Sequence, residues 1–144
     1  MMMMMMMIET RWNPTMHQLI WKKNNHVMGR TDYSYIHEPI IYSWKGTGHK
    51  FHGGFQTSVL EFSRPNKSDL HPTMKPVELL EKLICNSSML GETVLDLFGG
   101  SGSTLIACEK AGRKCRMMEI DPSYCDVIVT RWERMTGRKA KLLK

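Results

Sequence analysis

The stretch from Val94 to Leu105 is the part of this 144-residue chain whose residue types and spacing most clearly suggest chemistry. An apolar strand carrying Asp96 leads into a turn that contains Gly99, Gly100 and Gly102, and a helix is predicted directly after the turn. Glycines let a small molecule approach the backbone, and the first N–H groups of a helix have no partner within it. The segment therefore predicts a nucleotide pocket at the carboxyl end of a strand.

A second acidic residue, Glu119, comes at the end of the next predicted strand. At this distance along a nucleotide-binding unit, a carboxylate accepts hydrogen bonds from both ribose hydroxyls. Asp96 stands where a pyrophosphate would be repelled, so an adenosine with a cationic or zwitterionic arm suits the two acids better. S-adenosylmethionine is such a ligand, and it is the predicted cofactor.

Other interpretations of the turn fit less well. A dinucleotide-binding turn would place its third glycine at Leu105, which disfavours a nicotinamide oxidoreductase, and a P-loop would require Gly-Lys-Ser/Thr, which does not follow. A helix cap and a strand-end acid without any ligand is disfavoured because Asp96, the three glycines and Glu119 occur in order. A non-catalytic DNA-binding fragment that no longer uses the cofactor stays open as the alternative function.

The helices and strands that would position these residues follow from periodicity and turn residues. In the first half, short strands are predicted at 18–22, 39–44 and 59–62. In the second half, the pattern predicts a helix from Pro76, a strand over 93–98, a helix over 103–110, a strand over 115–120, and a helix from Asp121 to Gly137. A strand, helix and strand within this length imply a parallel pair of strands.

Three motifs in the second half carry a resemblance to a known family. In chain order they are His71-Pro72-Thr73-Met74-Lys75-Pro76, Asp96-Leu97-Phe98-Gly99-Gly100-Ser101-Gly102-Ser103-Thr104, and Glu119-Ile120-Asp121-Pro122-Ser123-Tyr124. The segment 70–132 resembles the cofactor half of the amino-group DNA methyltransferases, which methylate N6 of adenine or N4 of cytosine. The motif order resembles the circularly permuted beta arrangement, in which the catalytic half comes first. More loosely, 20–24 and 35–42 resemble strands of that catalytic half.

This resemblance implies an α/β, Rossmann-like fold of the S-adenosylmethionine-dependent methyltransferases, incomplete on its amino-terminal side. Glu119 would bind the ribose hydroxyls, Asp96 would face the amino-acid arm, and 98–102 would wrap the methionine portion. Thr73 and Lys75 would contact the carboxylate end, although a solvated lysine ahead of a helix is the competing interpretation of Lys75. The residues expected at the cofactor are Thr73, Lys75, Asp96, Phe98, Gly99, Gly100, Gly102, Ser103, Thr104 and Glu119.

The resemblance also implies a division of the chain. The run Met1 to Met7 is set aside as a tail, and 8–144 is predicted to form a single methyltransferase domain. Within it, 8–44 would be a remnant of the catalytic half, 45–70 a variable region that helps to choose the DNA target, and 71–144 the cofactor-binding half.

The catalytic loop of the family is not found in this chain. That loop reads Asp/Asn/Ser-Pro-Pro-Tyr/Phe, and it accepts hydrogen bonds from the target amine of a flipped base. The chain contains no Pro-Pro pair. Asp121-Pro122-Ser123-Tyr124 is predicted to be a helix start, and Asn13-Pro14-Thr15-Met16 lacks the aromatic residue. No catalytic residue is therefore assigned, and the chain is expected to be truncated and inactive alone.

Charge and composition set the expected partners. The net charge of +6 fits double-stranded DNA as a partner. Much of the excess lies in the last 14 residues, which are predicted to form a solvated basic end (Arg131, Arg134, Arg138, Lys139, Lys141, Lys144). A separate fragment carrying the catalytic loop, or a second copy of the chain, is a further expected partner.

Composition also bears on the cellular compartment and on metals. No apolar run is long enough to cross a bilayer and no secretory leader is present, so a cytoplasmic protein with reduced cysteines is expected. His49 and His52 are expected on the surface, and no metal site is predicted.

Overall fold

The computed structural model describes residues 16–26, 32–44, 49–64 and 74–143. The chain divides into two compact units, 1–64 and 65–144. His71, Pro72, Thr73 and the segment Asn13-Pro14-Thr15 lie outside the described residues.

The first unit contains a three-stranded sheet with the strand order β2-β1-β3. Its strands are β1 (Met16–Lys22), β2 (His37–Ser43) and β3 (Val59–Glu61). The central strand β1 pairs antiparallel with β2 and parallel with β3. All three predicted strands are confirmed, with ends that differ by one or two residues from those expected.

The core of the first unit lies on one face of this sheet. Trp21 and Leu60 are partners across β1 and β3 and are buried, and the Trp21 Nε1–H donates to the Phe62 carbonyl at 2.8 Å. A buried indole N–H usually finds such an acceptor, because an unpaired donor is costly in an apolar setting. The Lys23 ammonium, also buried, lies 3.3 Å from the Glu38 carboxylate.

The second unit contains a parallel strand pair and three helices. In chain order these are α1 (Val77–Ser87), β4 (Thr93–Asp96), α2 (Ser103–Ala111), β5 (Lys114–Met117) and α3 (Pro122–Thr136). β4 and β5 pair in parallel with α2 as the crossover, as the sequence predicts. Helix α2 packs against α1, β5 and α3. Its buried side chains supply much of the core (Ile106, Ala107, Cys108, Ala111), and Leu79 of α1 and Ile128 of α3 are buried in the same unit.

Helix ends in this unit follow local rules. The Asp121 carboxylate accepts from the Ser123 N–H at 2.8 Å and caps α3, with Pro122 in the first turn. Gly112 and Gly137 end α2 and α3 in the left-handed region, with φ of 69° each. The predicted start of α3 at Asp121 and its end at Gly137 are confirmed.

Both strands of the parallel pair end earlier than the hydrophobic pattern suggests. β4 stops at Asp96 rather than Phe98, because the Asp96 carboxylate accepts the Phe98 N–H at 2.9 Å and turns the backbone out of the strand. β5 stops at Met117, two residues before Glu119. Glu119 therefore lies in the segment that follows the strand, and not within the strand itself.

The four cysteines are unpaired, and burial raises the pKa of the Cys115 thiol to about 12. His49 and His52 are exposed, as expected. Within the described ranges, no group of His, Cys, Asp or Glu is arranged to hold a metal ion. No helix in the same ranges is both long and apolar enough to span a bilayer.

Candidate cofactor site

The glycine turn is tied to the segment that follows β5. The Met118 N–H donates to the Asp96 carbonyl, and the Gly99 N–H donates to the Met118 carbonyl, both at 2.9 Å. Within the turn, the Gly102 N–H donates to the Gly99 carbonyl at 2.8 Å. These bonds join the segment after β4 to the segment after β5, so they hold the glycine turn at the carboxyl ends of both strands.

Close packing explains the glycines at two of these positions. A Cβ on Gly99 would lie 2.7 Å from Sδ of Met117, and one on Gly102 would lie 3.1 Å from Cγ1 of Ile128. Gly102 also has a φ of +77°, which favours glycine. The turn thus rests directly on α3, and a side chain at either position would push it away.

Glu119 faces this turn. Its Oε2 accepts the Gly100 N–H at 2.6 Å, and its Oε1 accepts the N–H groups of Ile120 at 2.9 Å and Asp121 at 3.0 Å. The bond from Asp121 is the largest cause of the lowered pKa of this carboxyl, and that from Gly100 is the next. The carboxylate is therefore ionised at neutral pH and lies beside the glycine backbone.

Exposed apolar side chains occur at the turn and on the residues next to Glu119 in the chain. Ile120 is 97% exposed, and Phe98 and Met118 are more than half exposed. All three lie within a few residues of Glu119 or the turn, on segments that the backbone bonds hold together. Large apolar side chains open to solvent beside an ordered carboxylate form a suitable contact surface for a planar base.

The start of α2 has N–H groups without an acceptor in the helix, and Gly102 and Ser103 there are buried. Gly102 is the N-cap and has no side chain to bond the first N–H groups of the helix, and its carbonyl accepts from Ile106 at 3.1 Å. The N–H groups of Ser103 and Thr104 have no acceptor within the helix ladder. Lys75 lies half-buried two residues before α1. The structure brings Asp96, the turn and Glu119 together, and the roles of Lys75 and Thr73 stay predictions.

Arg131 is a residue at this site that the sequence analysis missed. It was expected in a solvated basic end, but it lies in α3 and is half-buried. Its Nη1 donates to the Ser101 carbonyl at 2.9 Å and to the Ser103 hydroxyl at 3.1 Å. The available signal was spacing, because Arg131 is three residues from Ile128 and so lies on the same helix face.

Two other cations of that end, Arg138 and Lys139, form surface ion pairs. Arg138 forms an ion pair with Glu109 and stacks over the Trp132 ring at 4.6 Å, and Lys139 pairs with Glu133 at 2.8 Å. The expectation of a solvated end is therefore wrong for Arg131, which is half-buried, whereas Arg134, Arg138, Lys139 and Lys141 are exposed, as expected.

The Asp-Pro-Ser-Tyr sequence at 121–124 is a helix start. Both the N–H and the hydroxyl of Ser123 donate to Oδ1 of Asp121, at 2.8 and 2.7 Å. These bonds lower the pKa of the Asp121 carboxyl. The carboxylate is thus engaged in capping, as the sequence predicts.

The second unit contains a parallel β-α-β unit with a glycine turn at the end of its first strand, and an acid faces that turn. This arrangement defines a Rossmann-like cofactor-binding fold. Solved structures have the same fold. The structure of the M1.HpyAVI–SAM complex matches with a TM-score of 0.66 and 29% identity, covering 80% of this chain and 60% of that one. A putative DNA modification methylase from Thermus thermophilus, complexed with S-adenosyl-L-methionine, matches with a TM-score of 0.58 at 23% identity, covering 88% and 56%. The predicted fold class is confirmed.

The sequence comparisons identify the family. The family model described as DNA methylase matches residues 1–130. The chain belongs to this family of N6-adenine and N4-cytosine DNA methylases, whose members are S-adenosylmethionine-dependent DNA methyltransferases. The predicted family, enzyme class and cofactor are thereby confirmed at the level of the family.

Individual relatives are longer than this chain. The type II methyltransferase M2.DpnII of Streptococcus pneumoniae is 27% identical over 115 residues, which are 80% of this chain and 41% of the relative. M.Cfr9I of Citrobacter freundii is 31% identical over 97 residues, which are 65% and 32% of the two chains. The chain thus spans about a third to two-fifths of the length of these relatives.

Proposed function

We propose that this chain carries the S-adenosylmethionine site of a DNA methyltransferase that methylates the exocyclic amine of adenine (N6) or cytosine (N4). The observation that carries the proposal is the Glu119 carboxylate held against the Gly100 N–H of the glycine turn. An ionised acceptor, an exposed apolar rim and helix N–H groups without an acceptor in the helix match the ribose, the base and the amino-acid arm of that cofactor.

The Glu119 carboxylate can bind both ribose hydroxyls only if one of its present hydrogen bonds is shared or replaced. A carboxylate offers about four lone-pair positions, and three backbone N–H groups already use Glu119. One position on Oε2 is open to a first hydroxyl, and a second hydroxyl would compete with the Gly100 N–H. We infer that the two ribose hydroxyls bind by sharing or replacing this bond, so the turn and the acid respond to the cofactor together.

The other contacts are assigned from the same geometry and from the family motifs. Ile120, Met118 and Phe98 provide an apolar surface for the adenine. Asp96 supplies negative charge for the ammonium of the amino-acid arm, with Thr73 and Lys75 at its carboxylate. When bound, the cofactor supplies a sulfonium methyl group that the target amine attacks.

We propose further that the loop which prepares this amine is supplied by a polypeptide segment outside these 144 residues. The chain has no Pro-Pro pair, and it spans less than half of its curated relatives. One face of the sheet in the first unit is also open, since Ile36, Ile41 and Val59 are each more than 40% exposed. A hollow of about 240 Å³ lies on this face, between Ile20 and Val59. Such an apolar face suits a packed partner segment.

Titration calorimetry of the folded 144-residue chain with S-adenosylmethionine tests the cofactor site. We expect one site per chain, with a dissociation constant that is micromolar to sub-millimolar. Adenosine diphosphate, which has the same base and ribose but an anionic arm, serves as the control and should bind more weakly because Asp96 repels it. Absence of binding at millimolar cofactor would reject the site and favour the alternative, a DNA-binding fragment without cofactor.

Methyl transfer to DNA should depend on an added segment. We expect no transfer of tritiated methyl groups to double-stranded DNA by this chain alone, because its sequence contains no Asp/Asn/Ser-Pro-Pro-Tyr/Phe loop to accept hydrogen bonds from the target amine. Transfer should appear when the part of the Streptococcus pneumoniae relative that this chain does not match is added, provided the two pieces associate. Methyl transfer by the isolated chain would contradict the proposal that another segment supplies the catalytic loop.

A further inference from the structure

Arg131 is a cation that contacts the glycine turn. Its Nη1 lies 2.9 Å from the Ser101 carbonyl, 3.3 Å from the Ser101 hydroxyl and 3.1 Å from the Ser103 hydroxyl. Ser101 and Ser103 are almost fully buried, with 5% and 6% of their surfaces exposed. A single guanidinium nitrogen therefore serves three buried oxygens of the turn and of the first residue of α2.

Neither ion pairing nor helix stability explains this position. Among the residues that the structure describes, no carboxylate pairs with Arg131. A cation also stands at the wrong end of α2, because the N-terminus of a helix carries partial positive charge and favours anions. The burial that lowers the pKa of Arg131 adds a desolvation cost. The position of Arg131 is explained by its hydrogen bonds to the Ser101 carbonyl and the Ser103 hydroxyl, which fix the glycine turn.

The Ser101 carbonyl is one end of a peptide unit whose other end is the Gly102 N–H. Arg131 binds the carbonyl, and the Gly102 N–H donates to the Gly99 carbonyl at 2.8 Å. The Gly99 carbonyl in turn belongs to the peptide unit that carries the Gly100 N–H, which donates to Glu119 at 2.6 Å. Two peptide units thus connect Arg131 to Glu119 through a continuous chain of hydrogen bonds.

We propose that Arg131 is a positioning residue for the cofactor site, acting through this chain of hydrogen bonds to aim the Gly100 N–H at Glu119. The inference rests on the proposed function in its link to the cofactor, whereas the hydrogen-bond chain itself does not require the cofactor. Each peptide unit in the chain is held at both ends, so loss of the guanidinium frees the carbonyl end of the first unit. Bonds linked in this way polarise one another, and loosening one weakens the next.

The experiment compares Arg131→Met with Arg138→Met in the full chain. Arg138 is the matched control, because it is an arginine just after α3 whose guanidinium contacts α2 through Glu109 and is not bonded to the turn. Amide hydrogen exchange measured by NMR reports on the turn without any cofactor. We expect exchange of the Gly100 and Gly102 amides to accelerate about tenfold in Arg131→Met, and to change less than about twofold in Arg138→Met.

Cofactor affinity is the second measurement. Arg131→Met should weaken S-adenosylmethionine binding by about tenfold, and Arg131→Lys should recover part of both effects, because an ammonium still donates to the Ser101 carbonyl. Ser101→Ala removes a hydroxyl but keeps the carbonyl, and should change exchange and affinity by less than about threefold. If Arg131→Met does not fold, Arg131→Lys carries the test with a smaller expected change.

The outcomes separate this inference from the proposed function. Unchanged exchange at Gly100 and Gly102 in a folded Arg131 variant would overturn the chain of hydrogen bonds. Faster exchange with unchanged affinity would overturn the positioning role. If the wild-type chain binds no S-adenosylmethionine, the proposed function fails, and faster exchange would still support the connection from Arg131 to the turn.

Discussion

Glu119→Ala is expected to weaken S-adenosylmethionine binding by at least about 100-fold, measured by titration calorimetry on the folded variant. Hydrogen bonds from two ribose hydroxyls to an ionised acceptor are each worth about 1.5–3 kcal/mol, so losing both removes two or more powers of ten in affinity. Glu119→Gln keeps one oxygen acceptor and should lose about tenfold. An unchanged affinity in Glu119→Ala would refute the ribose role.

The same substitution also removes an acceptor from the turn, so the ribose contact needs a separate test. The 2′-deoxy analogue of the cofactor should bind the wild-type chain about tenfold more weakly, and should show little further loss in Glu119→Gln. If removing the 2′-hydroxyl weakened binding equally in the wild-type chain and in Glu119→Gln, the effect of the Glu119 substitution would come from the turn and not from a ribose contact. Glu133→Ala is a suitable control, since this acid also accepts a backbone N–H and pairs with Lys139 but lies away from the turn.

Gly102→Ala is expected to destabilise the fold by about 2–4 kcal/mol in urea unfolding. A non-glycine residue in the left-handed region costs about 1–2 kcal/mol, and the added Cβ would meet Ile128 at 3.1–3.4 Å, where crowding costs about as much again. The contacts include the Ile128 Cα, so a change of side-chain rotamer alone does not relieve them.

Gly137→Ala separates the two causes. Gly137 has a similar φ of 69°, but an added Cβ there meets nothing within 4 Å. Only the conformational cost of about 1–2 kcal/mol is expected in this control. If the two substitutions lowered the free energy of unfolding equally, the crowding of the added Cβ against Ile128 would contribute nothing to it.

Several elements of the second unit could be predicted because their causes are local. Asp121 followed by Pro122 begins a helix, and Gly112 and Gly137 end helices, through bonds that span only a few residues. The ends of β4 and β5 were misplaced for a related reason. The apolar pattern runs on through Leu97 and Phe98, but the side chain of Asp96 captures the Phe98 N–H and ends the strand.

The sequence by itself determined the family, the fold class, and the order of acid, glycine turn and acid, because motif spacing and turn chemistry are properties of neighbouring residues. Only the tertiary structure decided that Glu119 lies against Gly100 and that Arg131 belongs to the turn and not to a solvated end. These contacts join residues 19 and 30 positions apart. The pairing of β4 with β5 brings Glu119 to the turn, and the packing of α3 on the turn brings Arg131 there. Both depend on which elements pack together, and residue spacing alone does not determine this.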